Sequence, residues 1–228
     1  MGREAWIRIF PFAVFMVFIA LQQGLQWLID TGQAGLTEEQ LLYLYPLKAL
    51  IVAILLLYFW REYSELHWAD FKNVVHTSGS LCLGLLVFAL WINMDWDFAT
   101  LGNARGFDPF LDTDETSRNF LIFFRLFGAA LVVPVMEELF WRSFLLRYII
   151  NSDFTGVRIG TYTLSSFLIG SVLFGLEHHL ILAGIMAGIA YSVLLYWTKS
   201  IYQCILAHGI TNLALGIYVL QTGYWQFW

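Results

Sequence analysis

Charge is what this chain has least of. Only 13% of its 228 residues are Asp, Glu, Lys or Arg, against 59% hydrophobic residues and a mean hydropathy of +0.68. A polar coat around that apolar content cannot be assembled, so a soluble protein is excluded and the bilayer is the solvent. No run of Lys or Arg occurs and the formal net charge is -5, which excludes the basic footprint of a nucleic-acid binder. Cysteine stands only at Cys82 and Cys204, both inside apolar stretches; two thiols make no disulfide framework and read as small packing hydrophobes. There is no internal repeat, no low-complexity segment and no His-Glu-x-x-His zinc motif. The first apolar stretch lacks a small-x-small cleavage site and outruns a signal peptide's apolar region, so it reads as a retained helix.

What the chain does have is long hydrophobic stretches. They cover 7–29, 41–60, 81–94, 120–150, 162–176, 181–197 and 201–220, and a crossing needs about 20 apolar residues. The expected fold is therefore all-α, a polytopic transmembrane bundle of seven helices, or eight with one short extra segment. The stretch 120–150 would run about 46 Å at ~1.5 Å per residue, so it must overhang, tilt or break at Pro134. Arg3, Arg8, Arg61, Lys72, Arg158 and Lys199 collect on one side of this layout. Arg105 and Arg118 stand on the other among Asp95, Asp97, Asp108, Asp112, Asp114 and Glu115. That asymmetry predicts a cytoplasmic N-terminus, with the turn-rich 96–117 connection outside as a solvated linker. Tyr224, Trp225, Phe227 and Trp228 suit an interfacial aromatic belt.

A charge at the bilayer centre costs at least about 2.5 to 3.5 kcal/mol on insertion scales, so ionisable residues inside apolar stretches are functional candidates. In the last four crossings these are Glu137, Glu138, Arg142, Glu177, His178, His179 and His208, joined by the amide of Asn212. Glu138 and Arg142 are four apart and can pair on one helix face, leaving Glu137 about 100° away to face something else. His208 and Asn212 share that spacing, as do Phe174 and His178, an imidazole beside an aromatic wall. Glu177 and His179 lie at a crossing's end and read as interfacial. Lys48 and Arg125 lie near helix ends, where long side chains snorkel to the headgroups.

Taken together, Glu137-Glu138-x-x-x-Arg142, Phe174-x-x-x-His178 and His208-x-x-x-Asn212, in that order on apolar helices, resemble the CAAX protease and bacteriocin-processing family (CPBP, or Abi) of intramembrane endopeptidases. The resemblance covers roughly 117–220 and is most similar to bacterial members labelled CAAX protease-related; Ser143 departs from the family's usual Gly after the arginine. It implies two parts, N-terminal helices with the acidic external loop over 1–118 and a catalytic core over 119–228, in the inner membrane of a bacterium. It implies a metal-independent glutamate mechanism without cofactor, acting on a membrane-associated or lipidated peptide or protein. Glu137 and His178 would activate water, His208 and Asn212 would bind the oxyanion, and Glu138, Arg142 and Phe174 would support them. Two other readings stay open from the residues alone. Glu137, His178 and His208 could serve as three ligands of a catalytic zinc, or the polar cluster could be interhelical glue in a non-catalytic scaffold or chaperone.

Overall fold

The computed structural model describes residues 2–102 and 106–228; Arg105 of the charge pattern lies outside them. The described residues form an all-α bundle whose only β feature is an isolated bridge between Thr100 and Leu180. Six helices are long and apolar enough to cross a membrane: α1 Arg3–Asp30, α2 Glu38–Glu62, α3 Val74–Trp91, α4 Glu115–Ile150, α6 Ile181–Thr198 and α7 Ile201–Thr222. The shorter apolar helix between them is α5, Leu164–Leu176. Leu57, Tyr58, Ile54 and Val17 are largely exposed, the outward apolar face that a lipid solvent accepts and water does not.

Side-chain caps set the starts. Thr37 and Gln40 close a capping box on α2, while Asn73, Asp114, Thr163 and Ser200 accept the backbone N–H three residues on in α3, α4, α5 and α7. At Asp114 the backbone N–H of Ser117 holds the carboxyl below its usual range. The third helix starts at Val74, about two turns before the expected 81, because its polar N-terminal turns have partners. Ser80 donates to Gln203 on α7 at 2.7 Å, and Gln203 donates to Thr77 at 3.1 Å.

α4 neither stops nor breaks at Pro134. Its helical path widens into π-helical turns over Gly128–Val132 and again over Leu139–Leu145, leaving Val133–Glu138 as a single α-helical piece between them. Proline has no N–H and its ring collides with the carbonyl one turn back; a wide turn just before it relieves that collision without ending the helix.

One end of the bundle is tied by polar contacts. Arg8 is almost fully buried, donates from Nη2 to Glu65 at 2.6 Å, and also reaches Glu4 and Ser143. Ser143 donates to Glu65 and accepts from Arg147 at 3.0 Å. The serine standing where the resembled family more often has glycine is therefore a hydrogen-bonding hub joining α1, α4 and the loop after α2. Burial pushes the Glu65 carboxyl up, but the hydrogen bonds and charge of Arg8 outweigh it and hold Glu65 below its usual range.

Candidate active site

Glu137 and Glu138 sit on the short α-helical piece of α4 between the two wide turns, a local geometry common at functional sites. Glu138 Oε1 lies 3.1 Å from Arg142 Nη1 and 2.9 Å from His208 Nδ1, with all three side chains buried. The pairing expected between Glu138 and Arg142 is present, and α7 is drawn onto the same oxygen. The Arg142 guanidinium also lies over Phe174 at 4.3 Å and Tyr191 at 5.4 Å. Phe174 is thus a platform for the arginine, with the His178 ring centroid 4.8 Å away. Glu137 faces the other way, as the helical geometry requires. It is 5% exposed, its Oε2 has no hydrogen-bond partner, and that oxygen lies 4.0 Å from His208 Nε2.

The two histidines are oriented alike. His178 Nδ1 donates to the carbonyl of Phe174 at 2.7 Å, and His208 Nδ1 donates to the Glu138 carboxylate. Each partner is an acceptor, so the proton stands on Nδ1 and the lone pair on Nε2. A neutral His208 therefore presents a base, and it donates through Nε2 only when it carries a second proton. His208 is stacked by Tyr191 at 5.1 Å, and Tyr191 in turn donates to Thr211 at 2.8 Å.

Asn212 has a structural duty beside its expected one. Its Nδ2 donates to the carbonyl of Ala129 at 2.9 Å, within the wide turn before Pro134. A carbonyl whose helical donor would be a proline N–H needs such a substitute inside a membrane. Gly209 permits the approach, since a Cβ there would lie 2.8 Å from the carbonyl oxygen of Ala130. One amide hydrogen of Asn212 is committed to this contact and one remains.

Glu177, read as interfacial from its position at the end of a crossing, lines the same cavity as Glu137 and His178. α5 has 13 residues, about 20 Å at ~1.5 Å per residue, short for a full crossing. At its end Glu177 accepts from Trp141 Nε1 at 2.9 Å. His179 instead fastens the loop after α3, its carbonyl accepting from the Leu101 N–H at 2.9 Å. Lys48 and Arg125 also depart from expectation. Lys48 is 4% exposed, with Nζ 4.2 Å from the Phe15 ring centroid, and Arg125 is half-buried over Tyr45 at 4.3 Å. Neither snorkels, because aromatic rings from α1, α2 and the C-terminal segment hold them within the bundle.

Glu137, His178, His208 and Asn212 line one cavity of about 260 Å³, shared with Glu177, Lys48 and Arg125. Glu138, Arg142 and Phe174 stand behind its wall. Glu177, Trp141 and Tyr191 are the site members missed by spacing. Glu177 and Trp141 adjoin named residues, but tryptophan and tyrosine in apolar helices carry no signal of their own. Among the described residues no group of three or more His, Cys, Asp and Glu is arranged to hold a metal ion.

Buried carboxylates, imidazoles and an amide around one cavity in a membrane-spanning bundle are the equipment of an intramembrane hydrolase. Residues 119–214 match the family described as Rce1-like, type II CAAX prenyl endopeptidase Rce1-like; this stretch, which contains all seven expected site residues, is similar to that family of CAAX proteases. No curated protein and no solved structure matches the chain.

Proposed function

We propose that the chain is a glutamate-type intramembrane endopeptidase that cuts a peptide bond in a membrane-associated or lipidated protein or peptide. The observation that carries this reading is Glu137 Oε2, buried and unpartnered in a cavity it shares with His178 and His208. A carboxylate with a free oxygen facing an enclosed cavity is placed to take a proton from water as a general base. Glu137 takes a proton from water held against His178 Nε2, the water oxygen attacks the carbonyl carbon, and the same carboxyl later returns the proton to the leaving amine. The 4.0 Å between Glu137 and His208 is too long for a hydrogen bond and is spanned by one bridging oxygen. His208 in its doubly protonated form and the free amide hydrogen of Asn212 donate to the developing oxyanion. The Glu138–Arg142 pair holds the His208 ring.

The division into N-terminal helices over 1–118 and a catalytic core over 119–228 belongs to this proposal, as does residence in a bacterial inner membrane with a cytoplasmic N-terminus. The cavity is also lined by Trp228, Lys48 and Arg125, towards the end carrying the acidic loop, so in that orientation it faces away from the cytoplasm. The family description names prenyl substrates, and a prenylated peptide is one probe to try among membrane-proximal peptides. Purified wild type, Glu137→Gln and His178→Gln, each checked as folded, are assayed for cleavage after chelation. The proposal expects metal-free cleavage only by wild type. Wild-type-like cleavage by either variant refutes the assignment, and activity lost on chelation and restored by zinc refutes the metal-independent mechanism.

A further inference from the structure

The connection from α3 to α4, expected to be a solvated linker, opens with an apolar surface. Phe98 is 81% exposed, more than any other large apolar side chain among the described residues, and Trp96 and Leu101 are about half exposed beside it. The Trp96 and Phe98 rings lie 5.6 Å apart and 12° from parallel, forming one plate. The backbone under this plate does not depend on water. The turn Asp97–Ala99 closes on the Trp96 carbonyl at 2.8 Å, and Thr100 Oγ1 donates to the Asp97 carbonyl at 2.9 Å. Past the turn the chain is stitched to the two residues that follow His178. Thr100 bridges Leu180, the Leu101 N–H donates to the His179 carbonyl at 2.9 Å, and His179 Nδ1 donates back to the Leu101 carbonyl. Before the turn, Trp91 at the end of α3 packs on His178 with ring centroids 5.4 Å apart.

We propose that Trp96, Phe98 and Leu101 form an anchor that sinks into the boundary between lipid headgroups and acyl chains and holds His178 at a fixed depth. Trp96 follows the last residue of α3, Trp91, by five positions, so the plate hangs at the end of a membrane-spanning helix, where aromatic rings are favoured. Its turn satisfies its own backbone groups, which an apolar surrounding demands. Asp95 and Asp97 alternate with the two rings and are exposed. They stop the plate at headgroup level, because a carboxylate carried deeper is costly. A shift of the anchor is passed to His178 through the paired backbones of Leu101 and His179. The anchor stands independently of the proposed activity; its hold on catalysis rests on the protease reading.

The test places an environment-sensitive NBD label on Phe98→Cys and, for comparison, on Thr113→Cys at an exposed position of the same connection. Both carry Cys82→Ser, and the remaining Cys204 is fully buried. Labelled protein in phospholipid nanodiscs meets two quenchers, a doxyl group on the lipid near the headgroup and iodide in the water. Gel filtration and thermal unfolding establish that each variant is folded. The label at 98 should lose emission to the doxyl lipid and be shielded from iodide, and the label at 113 should do the reverse. Iodide quenching at 98 without lipid quenching puts the plate in water and overturns the anchor. Shielding at 98 from both quenchers overturns it too, and energy transfer between differently labelled copies would then assign the surface to a second copy of the chain. Cleavage is read separately in nanodiscs, where Phe98→Asp should lower kcat and Phe98→Leu should keep it. Wild-type kcat in Phe98→Asp overturns the hold on His178. No cleavage by wild type sinks the protease reading and leaves the lipid contact to be judged on the quenching alone.

Discussion

His208 stands between two glutamates that do different work. Glu138, shared with Arg142, fixes the proton on Nδ1, while Glu137 faces Nε2 across 4.0 Å without a hydrogen bond. Removing each carboxylate should therefore fail differently. Glu137→Gln should abolish cleavage, whereas Glu138→Gln should leave residual activity, lowered by about 10²-fold, because His208 loses the carboxylate that holds its ring; wild-type activity in Glu138→Gln would contradict the anchoring role. Arg142→Ala strands a buried carboxylate and should destabilise the fold by about 3–5 kcal/mol, read as thermal unfolding in detergent. At this scale the sequence was informative, since spacing four apart put Glu138 on Arg142 and a lone charge on Glu137. It was silent about Trp141 and Tyr191, whose polar tips matter only because Glu177 and Thr211 lie opposite them. Lys48 and Arg125 were misread because distance from a helix end says nothing about the rings of Phe15 and Tyr45 that enclose them.

α4 and α7 meet through a defect. Pro134 denies the helix an N–H, the turn before it widens, and Asn212 supplies a donor to Ala129 while Gly209 lets α7 come close. Gly209→Ala should push α7 off α4, at a cost of about 1–3 kcal/mol, and depress cleavage further than that stability loss explains. Unchanged activity would show that the close approach is not needed. Pro134→Ala restores a backbone donor, so it should keep the protein folded while slowing cleavage, because Asn212 loses its exclusive claim on that carbonyl. The stretches 181–197 and 201–220 were legible almost to the residue because hydrophobicity ends where caps begin. The start of α3 was not, because Thr77 and Ser80 look like loop until Gln203 opposite them is known. The two wide turns have no sequence signature beyond Pro134 itself.

Across the whole molecule, one end is fastened by Arg8, Glu65, Ser143 and Arg147, and the other by aromatic rings around Lys48 and Arg125, which line the candidate cavity. Glu65 is held below its ordinary range, so the stability it contributes is fully present above the unfolded glutamate value of about pH 4.3. It is lost as pH falls through the lower folded value. Thermal unfolding of wild type should therefore weaken below about pH 4.3, and Glu65→Gln should be less stable at neutral pH with a flatter acid limb. A bundle of seven apolar helices could be read from hydropathy because the bilayer demands it, and the order of the polar motifs pointed to the family. That Glu177 reaches Trp141 and lines the cavity followed only from the packing of α5 against α4. The central claim is that Glu137 is the base of a metal-independent protease. The most direct measurement is cleavage of a membrane-proximal peptide library by chelator-treated wild type beside folded Glu137→Gln. Cleavage by wild type and none by the variant is expected; equal cleavage by the two would contradict it.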